Sequence, residues 1–281
     1  MRTPLFSFFS AALVPLTAAT CANAPQNKQA LENLPVKIIL VGDSTTAQAT
    51  GWGGAFCDLH VSPMVACLPL GRGGRSSKTY REEGSWQLAL NEMRTPGYAA
   101  TYVLIELGHN DKNSDPTIGT DIKTVFPENI ARFIAEGRAA GAIPVIITPL
   151  ASRHFRAGKL DDTIAPWAAQ VRAVASKAGV PVVDLNRSSE AFYQKLGAVG
   201  ALSLEVHSPS AAEQLAAASG STLDGRISDS VPASESVRAN DPRRSYQADY
   251  IHLNPRGAGA ISGLVADGLV QAVPELRGRI R

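Results

Sequence analysis

Residues 36–46 read V-K-I-I-L-V-G-D-S-T-T, and the predicted α/β fold is built around this stretch. The apolar run 36–41 is short and rich in β-branched residues, with one lysine, which favours a strand buried on both faces of a parallel sheet. The glycine that ends it permits a tight turn, and Ser44 follows. Open α/β sheets bind ligands at the carboxyl ends of their strands, and a helix start behind Ser44 would favour developing negative charge. Ser44 is therefore a candidate nucleophile, with helix capping by Asp43 or Ser44 as the alternative.

Four further apolar runs end in glycine, proline or polar residues, as buried strands do, and patterns typical of helices alternate with them. The strands are predicted at 64–70, 102–107, 143–148 and 180–185, and the helices at 55–60, 85–93, 130–140, 165–177 and 258–270. Strands and helices that alternate at this spacing indicate a parallel sheet with right-handed crossovers. The predicted fold class is α/β.

The composition fits one enzyme-sized α/β domain and excludes several classes of function. The chain has 281 residues, of which 44% are apolar and 19% charged, which is enough to fill a core and argues against wholesale disorder. The net charge of +2 gives no electrostatic case for nucleic-acid binding. The glycine-rich loop 71–77 matches neither the dinucleotide nor the P-loop motif, and no Cys/His cluster has metal-ligand spacing. No cofactor and no metal are expected.

The amino terminus has the pattern of a secretory signal peptide. Arg2 precedes an apolar segment at 5–19, which is followed by small residues at 22–24. Such a segment is too short to span a bilayer and typical of a cleaved signal. We therefore predict a signal peptide at 1–24, a single mature domain at 25–281 and a secreted or periplasmic location, without a membrane span. A lipid anchor at Cys21 is the alternative.

Two cysteines, Cys57 and Cys67, remain after the predicted signal. Export to an oxidising compartment favours a disulfide between them. The alternative is a pair of buried free thiols, because the sequence does not give the Cα separation that a bridge requires.

A catalytic constellation for acyl transfer can be assembled from the strand ends and one late loop. Ser44 offers a hydroxyl, which needs a base, and His252 can accept and return a proton near neutral pH. Asp249 lies three residues earlier, a spacing that lets a carboxylate reach Nδ1 and fix the tautomer. The backbone N–H groups of Ser44 and Gly74 and the amide of Asn110 can stabilise an oxyanion. The order Ser, Asp, His is that of the α/β-hydrolases, whose G-x-S-x-G elbow is absent.

These blocks resemble those of the SGNH (GDSL) hydrolases. The strings G-D-S-T, G-G-R-S, L-G-H-N-D and D-Y-I-H-L-N-P-R-G-A are most similar to the rhamnogalacturonan acetylesterase branch, and the resemblance spans about 36–270. It implies a flavodoxin-like three-layer α/β/α sandwich with a five-stranded parallel sheet in the order 2-1-3-4-5. It also implies a serine esterase that deacetylates a pectic polysaccharide, with catalytic residues Ser44, Gly74, Asn110, Asp249 and His252.

The chain departs from the family in two places. Pro69 stands where the family often has Asn, and an insertion at about 198–247 looks irregular apart from one possible helix at 210–218. A run of that length is usually a functional loop or a disordered insertion.

Several readings stay open at this point. His109 either contacts substrate or is bonded internally, and Ser76 or Ser77 is a rival nucleophile. The arginines, together with His154, either bind galacturonate carboxylates or lie in solvated loops; they are Arg72, Arg75, Arg153 and Arg156. The rival functions are an esterase for another acyl ester (acetyl-xylan, a lipid or a thioester) and a non-catalytic carbohydrate-binding protein of the same fold. The oligomeric state is not predicted.

Overall fold

The computed structural model describes residues 34–223 and 249–281. The predicted signal peptide at 1–24 and residues 224–247 of the predicted insertion lie outside the described residues. No helix in the described ranges is both long and apolar enough to cross a membrane.

A five-stranded parallel sheet forms the centre of the molecule. Its strands lie in the order β2-β1-β3-β4-β7, which confirms the predicted order 2-1-3-4-5. They are β1 Val36–Gly42, β2 Val65–Pro69, β3 Thr101–Glu106, β4 Ile143–Ile147 and β7 Val182–Val183, and a small antiparallel hairpin, β5 Phe155–Arg156 with β6 Lys159–Leu160, follows β4.

Helices connect and cover the strands. They are α1 Gly53–Leu59, α2 Thr79–Glu82, α3 Ser85–Arg94, α4 Val125–Ala139, α5 Ala165–Ala178, α6 Leu185–Leu202, α7 Ala211–Ala218 and α8 Pro255–Ala272, followed by the 3₁₀ turn Pro274–Leu276.

Alternate residues of β1 enter two separate cores, one on each face of the sheet. Ile38 and Leu40 lie in a core that also contains residues of α1, α6 and α8. Ile39 and Val41 lie in a core that also contains residues of α3, α4 and α5. Because a strand presents successive side chains to opposite faces, a strand that is apolar throughout requires cover on both sides. The predicted three-layer α/β/α fold is confirmed.

Two predicted segments differ from the structure. The fifth strand is only Val182–Val183, because the Asp184 side chain accepts a hydrogen bond from the backbone N–H of Arg187 and starts α6 at once. The insertion, predicted as irregular from residue 198, begins inside this helix, which continues past a bend at Gly197. The predicted helix at 210–218 is confirmed, with Ser210 as its N-cap in a capping box.

A disulfide joins Cys57 of α1 to Cys67 of β2, with a Cα–Cα distance of 5.5 Å. The bridge predicted from the sequence is confirmed, and it fixes the helix that follows the serine turn to the edge of the sheet.

Candidate active site

The turn that carries Ser44 begins where β1 ends. A Cβ atom at Gly42 would collide with the Thr46 side chain and with the carbonyl of Glu106, so only glycine fits there. The Asp43 side chain turns inward and accepts the backbone N–H of Thr45 at 2.9 Å and its hydroxyl at 2.8 Å. The result is a local turn with a half-buried Ser44 at its tip.

The helix-capping reading of this stretch is wrong. The first helix after β1 begins at Gly53, and its N-cap, Trp52, makes no side-chain capping bond. Residues 43–50 are turns, so no helix start lies directly behind the serine. The Asp43 side chain is bonded to Thr45 within the turn, and neither Asp43 nor Ser44 caps a helix.

Glu106, the last residue of β3, holds the serine turn from beneath. It is fully buried, and its Oε1 accepts the backbone N–H of Leu150 at 2.9 Å, while its Oε2 accepts Trp52 Nε1–H at 2.8 Å. The hydroxyls of Thr45 and Thr46, the two residues after Ser44, also contact this carboxylate. Trp52 is therefore a packing residue under the turn.

Asp43 and Glu106 form a buried acidic pair bridged by one hydroxyl. Thr45 Oγ1 lies 2.8 Å from Asp43 Oδ1 and 3.1 Å from Glu106 Oε1, but it has a single proton to donate. Burial raises the pKa of both carboxyls, and the charge of Asp43 raises that of Glu106 further. The serine turn is thus supported by groups whose protonation states are linked.

Asp249 and His252 form a close pair in the loop before α8. His252 Nδ1 lies 2.7 Å from Asp249 Oδ2, and the other oxygen, Oδ1, accepts the backbone N–H groups of Ile251 at 3.0 Å and His252 at 2.9 Å. Burial would lower the pKa of His252, but the hydrogen bond and charge of Asp249 outweigh it and raise the pKa above its ordinary value. Burial would raise the pKa of Asp249, but His252 holds it well below its usual range. The pair is a carboxylate that orients an imidazole.

The histidine loop is attached to the serine turn through Thr50. The backbone N–H of Leu253 donates to the carbonyl of Thr50 at 3.0 Å, and the Thr50 hydroxyl donates to the carbonyl of Ser44 at 3.2 Å. Asp43 and His252 are also near enough for the charge of Asp43 to raise the pKa of His252. These contacts place the Ser44 turn beside the loop that carries Asp249 and His252.

The glycine-rich loop and Asn110 lie beside the same turn. The backbone N–H of Arg72 donates to the carbonyl of Gly42 at 2.9 Å, and a Cβ placed on Gly73 would stand 3.6 Å from the Cβ of Ser44. Gly74 has φ +79°, which favours glycine. Asn110 Nδ2 donates to the carbonyl of Arg75, the next residue, at 3.3 Å. The predicted oxyanion donors thus belong to segments that contact each other next to Ser44.

The rival serines are structural. Ser76 and Ser77 are fully buried, Ser77 Oγ donates to Asp111 at 2.6 Å, and Ser76 is bonded to Thr79. His109 is bonded internally, since its Nε2 donates to the carbonyl of Leu150 at 2.7 Å. Burial lowers the pKa of His109 to about 4, so it stays neutral at ordinary pH. Of the two alternatives for His109, the contacts support internal hydrogen bonding rather than substrate contact.

Arg153, one of the arginines considered for substrate binding, is instead buried against the histidine loop. Only 1% of it is exposed, and its guanidinium donates to the carbonyls of Ile251 at 3.1 Å, Asp249 at 3.2 Å and His252 at 2.8 Å. Its own backbone N–H donates to the carbonyl of Tyr250. Arg153 therefore fixes the conformation of the loop that presents Asp249 and His252.

The other candidate arginines are also engaged within the protein, and His154 packs edge-on against a tyrosine. Arg75 pairs with Glu83 at 2.7 Å, and Arg156 pairs with Asp161 at 3.2 Å. Arg72 is exposed and donates to Ser85 at 3.0 Å. The ring of His154 lies 5.0 Å from that of Tyr250. These contacts remove most of the physical support that the arginines gave to an acidic sugar.

Sequence reasoning missed two supporting residues, Glu106 and Arg153. A signal existed for Glu106, because a carboxylate at the end of an otherwise apolar buried strand requires partners. Arg153 carried no such signal, because its partners are backbone carbonyls about a hundred residues away.

The model of the GDSL-like Lipase/Acylhydrolase family matches residues 40–260. Rhamnogalacturonan acetylesterase RhgT of Bacillus subtilis is 32% identical over 171 residues, which cover 58% of this chain and 70% of that protein.

Two solved structures share the fold. The protein YXIM of Bacillus subtilis has a TM-score of 0.61 at 19% identity, over 85% of this chain and 57% of that one, so the chain spans less than two thirds of its length. A catalytic mutant of Axe2, an acetylxylan esterase from Geobacillus stearothermophilus, has a TM-score of 0.51 at 13% identity, over 84% of this chain and 93% of that one. At these identities the likeness concerns the fold alone.

Proposed function

Because the chain belongs to the GDSL-like lipase/acylhydrolase family, and is thus a carboxylic ester hydrolase, we propose that it removes acetyl groups from rhamnogalacturonan, a pectic polysaccharide. The acetylesterase activity is supported by the named relative. The choice of polymer rests on that relative as well, since Arg75 and Arg153 are held by contacts within the protein and the exposed Arg72 and Arg156 do not by themselves identify an acidic sugar. The observation that carries the catalytic mechanism is the 2.7 Å contact between His252 Nδ1 and Asp249, in a loop bonded to the Ser44 turn.

In the proposed reaction Ser44 Oγ attacks the acetyl carbonyl carbon and its proton passes to His252 Nε2. Asp249 holds the tautomer that leaves Nε2 able to accept, and it stabilises the imidazolium that forms. The carbonyl oxygen becomes an oxyanion, to which the N–H groups of Ser44 and Gly74 and the amide of Asn110 donate. Donating a hydrogen bond to this oxyanion is the catalytic role that we assign to Gly74 and Asn110.

Collapse of this intermediate expels the sugar hydroxyl, which takes the proton from His252 and leaves an acetyl group on Ser44. Water then attacks the acyl-enzyme, with His252 again as the base, and acetate departs as Ser44 recovers its proton. Each step uses only residues of this chain and water.

We also propose that the chain is exported, as the sequence of its first 24 residues suggests. The Cys57–Cys67 disulfide supports this, because such bridges persist in oxidising compartments. Amino-terminal sequencing of the protein recovered from the periplasm or medium tests it. Recovery of the uncleaved chain in the cytoplasm alone would contradict export.

The decisive assay compares acetate release from acetylated rhamnogalacturonan, acetyl-xylan and a long-chain acyl ester. We expect the pectic polymer to give the highest kcat/KM. Preference for another ester would refute the proposed substrate but not the proposed mechanism. Folded protein that hydrolyses none of the three esters would favour the carbohydrate-binding alternative.

Ser44→Ala should abolish acetate release on whichever ester is turned over. The matched control is Ser176→Ala, since Ser176 is an exposed residue of α5 on the other side of the sheet. Parent-level hydrolysis by Ser44→Ala would refute the mechanism.

A further inference from the structure

Three potential metal ligands meet between the end of α6 and the first turn of α7. They are Glu205, His207 and Glu213, and one ligand atom from each lies within 4.8 Å of the other two. Within the described ranges they are the one group of three or more such residues that is close enough to hold an ion. This group is separate from Ser44 and does not depend on the proposed esterase chemistry.

The two carboxylates of this group are buried in an unusual state. Glu205 and Glu213 are 2% and 1% exposed. With both carboxyls ionised, neither oxygen of Glu205 accepts a hydrogen bond from the described residues, and the same is true of Oε1 of Glu213. Buried carboxylate oxygens are almost always bonded or paired, because desolvation without a partner is unfavourable. These three oxygens therefore indicate a partner that no hydrogen bond within the described residues supplies.

The chemistry of the ligands, and one of the distances between them, suit a small divalent ion. His207 Nδ1 lies 3.6 Å from Glu205 Oε2. A zinc ion held at ~2.1 Å from nitrogen and oxygen ligands keeps them about 3.4 Å apart in a tetrahedron. Carboxylates together with an imidazole are a ligand set that Zn²⁺ accepts, whereas Ca²⁺ and Mg²⁺ prefer oxygen alone. We propose that Glu205, His207 and Glu213 bind a divalent metal ion, with Zn²⁺ as the preferred one and water in the fourth position.

The alternative to a bound metal ion is a proton shared between the carboxyl groups of Glu205 and Glu213. Burial raises the pKa of Glu205 to about 8. The charge of Arg153 opposes this rise, whereas the charges of Glu213 and Asp249 and a hydrogen bond with Glu213 add to it. A protonated Glu205 could then share its proton with Glu213. The two explanations differ in whether the purified protein holds stoichiometric metal.

Metal binding is expected to stabilise the segment that contacts the loop carrying Asp249 and His252. Leu204 accepts the backbone N–H of Asn254 at 3.0 Å, and Ser203 accepts its side-chain amide at 2.9 Å. Asn254 lies two residues after His252 and caps α8 through the N–H of Gly257 at 2.9 Å. An ion at Glu205 would therefore stabilise the chain that holds the histidine loop, so its removal should lower thermal stability first and activity second.

The test uses the full mature chain without a polyhistidine tag, stripped by a chelator and then dialysed separately against Zn²⁺, Mn²⁺ and Ca²⁺. We expect one Zn²⁺ per chain by elemental mass spectrometry after gel filtration, and a Tm that rises with Zn²⁺ concentration. Absence of stoichiometric metal in all three samples would overturn the site in favour of the proton. Tighter binding of Mn²⁺ or Ca²⁺ would overturn the assignment of Zn²⁺.

Two variants test whether the ion binds at this group of ligands, and a third controls for the loss of one negative charge. Glu205→Gln and Glu213→Gln should each weaken the Zn²⁺ Kd by more than ~10-fold and remove the Tm response. Glu213→Gln can retain the capping box, in which Oε2 accepts the N–H of Ser210 at 2.7 Å, so α7 should still form. Glu128→Gln, an exposed acid on α4, should bind Zn²⁺ as the parent does. Unchanged binding in both site variants would overturn the proposal.

Discussion

Replacing Glu106 by Gln is expected to destabilise the serine turn, although the two side chains have nearly the same shape. Each oxygen of Glu106 accepts one N–H whose direction cannot change, from Leu150 on Oε1 at 2.9 Å and from Trp52 on Oε2 at 2.8 Å. A glutamine amide has one oxygen and one NH₂ group. In either orientation, its NH₂ would therefore face a fixed donor, and one buried N–H would lose its acceptor.

The magnitude follows from that single lost acceptor. The hydroxyls of Thr45 and Thr46 can rotate and accept from the amide, so they limit the damage. A buried donor left without a partner costs ~1–3 kcal/mol of unfolding free energy. Burial also raises the pKa of Glu106, so a neutral amide avoids the desolvation of a charge and the loss should lie toward the lower end. Because both threonines adjoin Ser44, small displacements should lower kcat by up to ~10²-fold.

Urea unfolding followed by tryptophan fluorescence measures the stability change, and acetate release measures kcat and KM. The control is Glu82→Gln, a replacement of an exposed glutamate that should leave both quantities unchanged. If Glu106→Gln had the parent's unfolding midpoint and kcat, the two fixed donors would not require a carboxylate, and the argument would fail.

Three further predictions concern the histidine loop and the disulfide. Asp249→Asn should lower kcat by up to ~10⁴-fold through the wrong tautomer. Asp249 raises the pKa of His252, and the base must be neutral to act, so the acid limb of the parent's pH profile of kcat/KM should lie above the usual ~6.5. In Asp249→Asn this limb should move to lower pH. An unmoved limb would contradict the assignment. Arg153→Met should lower Tm and kcat with little change in KM, with partial recovery in Arg153→Lys; a rise in KM alone would instead indicate substrate binding. Cys57→Ser combined with Cys67→Ser opens a loop closed by residues 10 apart and should cost ~3 kcal/mol, measured by urea unfolding of the variant beside the oxidised parent, and equal midpoints would contradict this.

Local patterns were sufficient for the parts of the site in which the determining neighbours lie close in sequence. Asp249 and His252 are three residues apart, so the contact between them depends on one turn. Gly42 ends the apolar run two residues before Ser44, so a tight turn at this point is visible in the string itself. The helix-capping alternative for Asp43 was undecidable at that level, because it depends on where the next helix begins, and that helix begins only at Gly53.

The alternation of strands and helices, the two-sided burial of β1 and the chain positions of Ser44, Asp249 and His252 could be read from the chain alone. Their surroundings became visible only in the folded protein: Glu106 supports the serine turn, Arg153 binds the loop carbonyls rather than substrate, and Glu205, His207 and Glu213 meet between the end of α6 and the first turn of α7. This difference arises because periodicity reports which face of an element is buried. The partner of a buried polar group is set by packing between distant segments, which no local pattern encodes.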